Sequence, residues 1–153
     1  VLINDEAENL NKYFKSNSNL DLIYSFGVLH HSSSLKKCLK IIRSIMSKKT
    51  ICKIMLYAKN SYKYFLMKDN LIRYESQKGV PVIDFYEKND IIKLFKKFKI
   101  LEIKQDFIFP YKIKAYKKNK YYKIDHFKYM KPDVFNSLKK NLGEHLLITL
   151  KKN

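Results

Sequence analysis

The stretch LDLIYSFGVLHHSSSLKKCLKIIRSIMSKKTICKIMLYA, residues 20–58, decides the fold class. It opens on a near-continuous apolar run, Leu20, Leu22, Ile23 and Tyr24, of the kind found in parallel strands buried on both faces. Three serines then precede LKKCLKIIRSIM, in which Leu35, Cys38, Leu39, Ile42 and Met46 recur at helical spacing on one face. Ser34 is placed to cap that helix, its hydroxyl accepting from first-turn amides. The helix should end near Ser47, where two lysines suit the negative end of its dipole. TICKIMLYA, residues 50–58, reads as the next strand. Strand, helix and strand at this length form a βαβ unit, with parallel strands and a right-handed crossover.

Outward from that unit, VLI at residues 1–3 reads as a short buried strand. Residues 4–19, polar and rich in Asn and Ser, read as a connection with a short helical turn. SYKYFLM (61–67) predicts a short helix, and KGVPV (78–82) a turn leading into an extended piece. EKNDIIKLFKKF (87–98) predicts an amphipathic helix facing inward with Ile91, Leu94, Phe95 and Phe98, capped by Glu87 or Asn89. KILEIKQDFIF (99–109) alternates as a strand. The tyrosine- and lysine-rich residues 110–131 carry no assignment. PDVFNSLKKNLG (132–143) predicts a helix ended by Gly143, and EHLLITLKK a last strand. The order is that of an α/β fold, a sheet with helices on both faces.

The 153 residues are one domain's worth of chain, and 46% hydrophobic content fits a folded protein. No run approaches the length of a membrane span, and none of these residues reads as a signal peptide. A chain that opens on VLIN rather than Met reads as a piece of a longer protein. The net charge is +18, but only Arg43 and Arg73 of the 32 basic residues are arginine, and the lysines are spread along the chain. Phosphate and base recognition favours arginine's bidentate fork, so nucleic acid is a possible partner and not the favoured one. Cys38 and Cys52 lack ligand spacing and read as buried thiols of a reduced, cytoplasmic protein. No metal site is expected.

In open α/β sheets, ligands bind beyond the carboxyl ends of the strands. Three such ends are legible: Asp5, Glu6 and Ala7 after residues 1–3; Ser25, Phe26 and Gly27, followed by His30 and His31; and Tyr57, Asn60 and Tyr62 after the third strand.

The segments EAENL, LDLIYSFGVLHH, LKKCLKIIRSI and KIMLY resemble the middle and C-terminal part of class I S-adenosylmethionine-dependent methyltransferases, of the type 11/12-like kind. YEKNDIIKLFKKFKILEIKQDF and GEHLLITLKK resemble that family's late helix and last two strands. The resemblance implies a Rossmann-like methyltransferase fold, here partial, with a mostly parallel sheet and an antiparallel last strand. It implies one domain over 1–153, the C-terminal two-thirds of a methyltransferase domain, with 59–86 and 110–131 as acceptor-side insertions. It implies S-adenosyl-L-methionine as cofactor and methyl transfer to a small-molecule acceptor, which the residues do not identify.

Residue by residue, Glu6 takes the place of the acidic group that accepts from the adenine amino group, with Asp5 a neighbour able to substitute, and Ala7 offers its amide to the ring. Ser25, Phe26 and Gly27 line the sulfonium side. Tyr57, Asn60 and Tyr62 are candidate acceptor contacts. His31 and His30 are candidates for a general base; the competing reading packs them at the helix start, since methyl transfer to a good nucleophile needs mainly positioning and desolvation. The family's Gly-rich loop and ribose-binding acid have no counterpart among these residues: the chain has three glycines and no GxGxG. The piece alone is therefore expected to be inactive. The alternatives are a basic nucleic-acid-binding α/β domain or a nucleic-acid methyltransferase. Neither Asn-Pro-Pro-Tyr nor Asp-Pro-Pro-Tyr follows residues 20–25, which counts against the latter.

Overall fold

Cys52, Ile54, Leu56 and Ala58 alternate along one strand, and Leu146, Ile148 and Leu150 along another; all seven are buried. Cross-strand partners match them directly, Cys52 with Leu150, Ile54 with Ile148 and Leu56 with Leu146. This period of two makes one continuous apolar sheet face.

The computed structural model describes residues 1–69 and 83–153. Its strands are β1 (Leu22–Ser25), β2 (Ile51–Ala58), β3 (Phe85–Tyr86), β4 (Phe98–Asp106) and β5 (His145–Lys152). The order is β1-β2-β5-β4, with β3 pairing β2 beyond the end of β1. β1, β2, β3 and β4 run in one direction, and β5 is antiparallel to both of its neighbours. This is the partial, mostly parallel sheet with an antiparallel last strand that the resemblance implies.

Helices α1 (Leu35–Ile45) and α3 (Lys88–Leu94) cover the apolar face, packing Leu35, Cys38, Leu39, Ile42, Ile91 and Phe95 on it. Ser34 caps α1, accepting from the Lys37 N–H at 3.3 Å. The turn into β2 works without glycine: the Thr50 hydroxyl accepts from the Ser47 N–H and donates to the Leu20 carbonyl at 2.7 Å. On the opposite face Met55 is buried, whereas Leu22, Tyr24 and Lys53 are exposed. Helices α2 (Tyr62–Lys68), α5 (Asp125–Lys128) and α6 (Pro132–Leu142) gather around buried Phe127, which meets the rings of Tyr62 and Phe135 at 5.5 Å each. The short α4 (Ile113–Tyr116) and α5 lie in 110–131, tied by an antiparallel bridge between Tyr111 and Lys123.

Four local expectations are corrected. Residues 1–3 are exposed and form no strand: a strand needs a ladder partner, and none of the described residues pairs with them. Among the described residues β1 has one neighbouring strand, β2, and its apolar run is half exposed rather than buried on both faces. Helix α3 stops at Leu94, because Phe98 is already the first residue of β4 and pairs with Lys152. Gly143 ends α6, but with φ −60° rather than a left-handed cap. A Cβ there would lie 2.4 Å from the carbonyl oxygens of Asp106 and Lys139, so space, not conformation, demands glycine. KGVPV lies outside the described residues.

Candidate functional site

The parallel direction of β1, β2 and β4, with β5 reversed, brings Ser25, Tyr57 and Asp106 to one end of the sheet, where β5 begins at His145. Tyr57, His145 and Asp106 form one cross-strand row. Phe26 follows β1; its ring stacks on Tyr24 at 5.8 Å and meets His145 edge-on at 5.5 Å. Phe26 is 45% exposed. Gly27 turns the chain with φ 76°, a conformation that costs other residues strain. The Ser25 hydroxyl is buried and has no hydrogen-bond partner among the described residues. Such an orphan at a strand end is the place for a ligand group or water.

His30 and His31 form a short 3₁₀ turn (Leu29–His31) between Gly27 and α1. His30 is completely buried, its ring 3.9 Å from Tyr57 and 4.1 Å from His31. Among the described residues neither of its nitrogens finds a partner in hydrogen-bonding geometry. Burial, with the neighbouring His31, lowers its pKa to about 4, so the ring is neutral. His31 keeps some exposed surface. His145 is likewise lowered to about 4, by burial first and the Lys63 charge second.

Asp5, Glu6 and Ala7 open a 3₁₀ segment, Ala7–Lys12. Asp5 is spent on local structure: it accepts from the Tyr13 hydroxyl at 2.6 Å, from Asn9 at 2.7 Å and from the Glu6 N–H at 2.8 Å. These bonds hold its pKa far below the carboxylate range. Glu6 is exposed, and Ala7 packs against the core. The buried Glu8 accepts from the Ser33 hydroxyl at 3.0 Å and the Ser34 N–H at 3.3 Å. It thereby ties this segment to the start of α1, at the same end of the sheet.

The three candidate acceptor contacts are not brought together. Tyr57 belongs to the cluster of His30 and His145. Asn60 lines a cavity of about 500 Å³ with Gln105, Tyr86 and Leu146, and its carbonyl accepts from the Gln105 amide at 2.7 Å. Tyr62 turns to α5, its hydroxyl 2.7 Å from His126 Nε2.

Sequence reasoning missed His145, Phe107 and Gln105, because β5 and β4 approach β2 only through the sheet. Phe107 carries φ 71° and lies flat on His145, centroids 4.5 Å apart. Among the described residues no group of three or more His, Cys, Asp and Glu could hold a metal, and no helix is long and apolar enough to cross a membrane.

No protein-family model and no curated protein sequence matches the chain. Solved structures do. A Thermotoga maritima S-adenosylmethionine-dependent methyltransferase, described as a possible histamine N-methyltransferase, superposes with TM-score 0.60 and 14% identity over 97% of this chain and 62% of its own. An Archaeoglobus fulgidus S-adenosylmethionine-dependent methyltransferase gives 0.58 and 16%, over 98% of this chain and 66% of its own. One from Methanosarcina mazei gives 0.58 and 10%, over 97% and 65%. The chain thus spans less than two thirds of the length of each. With the strand order and the reversed β5, these likenesses show that the chain has the class I S-adenosylmethionine-dependent methyltransferase fold.

Proposed function

We propose that this chain is the C-terminal two-thirds of a methyltransferase domain and forms the adenine and methyl-facing wall of its S-adenosylmethionine site. The acceptor is a small molecule bound toward the insertions 59–86, of which 70–82 lie outside the described residues, and 110–131. The observation that carries the reading is the convergence of Ser25, Phe26 and Gly27 with Tyr57 and His145 at the carboxyl end of this sheet. There a buried hydroxyl lacks a partner among the described residues, a glycine holds positive φ and an aromatic ring is open to solvent. When bound, S-adenosylmethionine supplies an electrophilic methyl group.

The chain's own residues have distinct tasks in this reading. Glu6, whose carboxylate remains at the surface while that of Asp5 is consumed, accepts from the adenine amino group. Ala7 offers its N–H. The backbone at Ser25–Gly27 floors the site, and Phe26 shields the reacting centre from water. His30 is a packing residue, because burial keeps it neutral and enclosed. His31, with surface to spare, takes the acceptor's proton where the acceptor carries one.

Calorimetric titration with S-adenosylhomocysteine tests this. A gene product that contains this chain and a Gly-rich strand end upstream should bind. Glu6→Gln and Phe26→Ala should each weaken binding about tenfold, roughly 1.4 kcal/mol, in line with one lost contact. Asp5→Asn should weaken it less. Residues 1–153 alone should bind at most weakly, because no GxGxG is present to meet the cofactor's carboxylate end. Micromolar binding by this piece, or equal affinity across the variants, would sink the assignment.

A further inference from the structure

A groove of about 890 Å³ runs between α1 and α3 and reaches the site's end of the sheet at Phe85, which pairs with Tyr57. Its rims carry Lys36, Lys40 and Arg43 on one side and Lys93, Lys96 and Lys97 on the other. Asp90 is the one carboxylate among its described lining residues, which leaves an excess of five positive charges. The floor is apolar: Leu94, Phe85 and Tyr86 are half-buried there, above the buried Leu39 and Phe98. The Arg43 Nε–H donates to the Lys97 carbonyl at 2.9 Å, which joins the two rims.

Crowding six cations around an apolar floor costs self-repulsion that one aspartate does not offset. A complementary occupant brings both features at once, apolar side chains for the floor and carboxylates for the rims. The distance from Lys36 to Arg43 is two helical turns, about 10 Å, enough for a short amphipathic helix laid in the groove. Nucleic acid fits less well. Five of the six cations are lysines, without the bidentate fork, and a phosphate backbone gains nothing from a narrow apolar floor.

We propose that the α1–α3 groove is a docking site for an acidic amphipathic segment of a partner polypeptide, held by its apolar face on Leu94, Phe85 and Tyr86 and by its carboxylates on the lysine rims.

The test uses the full chain and three labelled probes in fluorescence anisotropy. One is a helical peptide of two to three turns with leucines on one face and glutamates on the flanks. The second has lysines in place of the glutamates, and the third is a single-stranded oligouridylate. The acidic peptide should bind best, and its affinity should fall as salt rises. The double variant Lys40→Glu/Lys93→Glu changes two exposed rim side chains, and far-UV circular dichroism checks that its fold is kept. It should bind the acidic peptide about tenfold more weakly, equivalent to some 1.4 kcal/mol. Absence of binding, equal affinity for both peptides, or an unchanged affinity in the double variant overturns the proposal. Tighter binding of oligouridylate, lost in the same variant, overturns it in favour of a nucleic-acid surface.

Discussion

Phe107 lies flat on His145, their rings 7° from parallel, although Phe107 must hold a left-handed backbone to do so. The left-handed region costs a non-glycine residue about 1–2 kcal/mol. An aromatic pair contributes about 0.5–1.5 kcal/mol beyond its burial. The two nearly cancel, so the contact orients His145 more than it stabilises the fold. Phe107→Ala loses the ring and keeps the strain, whereas Phe107→Gly loses both. Urea unfolding should find the glycine variant the more stable of the two by about 1 kcal/mol. Equal stabilities would mean that the backbone is not strained in solution.

The two glycines among the described residues should respond differently to alanine. Gly27 has left-handed φ but open space, with only Met55 Cε at 4.0 Å. Gly27→Ala should cost about 1 kcal/mol of backbone strain. Gly143 has ordinary φ, but its missing Cβ would collide with two carbonyl oxygens. Gly143→Ala should cost about 3 kcal/mol, the upper range for overpacking, and should disturb the α6–β5 junction. Thermal unfolding that ranks the pair the other way would overturn both explanations.

Burial lowers His30 and His145 from about 6.5 to about 4. A histidine depressed in the fold binds its proton more readily when unfolded. Its stabilising effect is therefore fully present above pH 6.5 and is lost as the pH falls from about 6.5 toward 4. Stability from denaturant titrations should drop over that interval. His30→Leu should reduce the drop, leaving the part due to His145, and lose little at neutral pH, because it replaces a buried polar ring with an apolar side chain. A variant with the parent's full pH slope would show that His30 does not titrate there.

Glu8 supports the start of α1. Burial alone would raise its pKa, but hydrogen bonds from its own N–H, the Ser33 hydroxyl and the Ser34 N–H prevail and lower it. A carboxylate depressed in the fold stabilises it above the ordinary carboxylate pKa, and that stability is lost on acidification through the lowered value. Glu8→Ala should cost about 1–2 kcal/mol at pH 7, as lost helix caps do, and Glu8→Gln less. The measurement is the urea midpoint of each variant; no change in Glu8→Ala would sink this role.

Much of the fold was legible as local pattern. The period of two in Cys52, Ile54, Leu56 and Ala58, the 3.6-residue period in Leu35, Cys38, Leu39 and Ile42, and the serine cap at Ser34 all reappear in space. Each depends on neighbours a few residues apart, so the chain writes it directly. The same holds for Ser25, Phe26 and Gly27 at a strand end. Residues 1–3 show the opposite case: their apolar composition matches a strand, but pairing depends on what lies alongside.

The sequence by itself determined the α/β class, the βαβ unit, and which residues stand after β1 and β2. Tertiary structure alone decided that β5 enters between β2 and β4, which delivers His145 and Phe107 to the end of β1 across a separation of more than eighty residues. It also decided that Asp5 is consumed by Tyr13 and Asn9 while Glu6 remains at the surface, and that Tyr57, Asn60 and Tyr62 diverge. The physical reason is common to all three. Hydrogen bonding and ring packing depend on distance and direction in space, and no spacing along the chain encodes which distant groups the sheet will bring within reach.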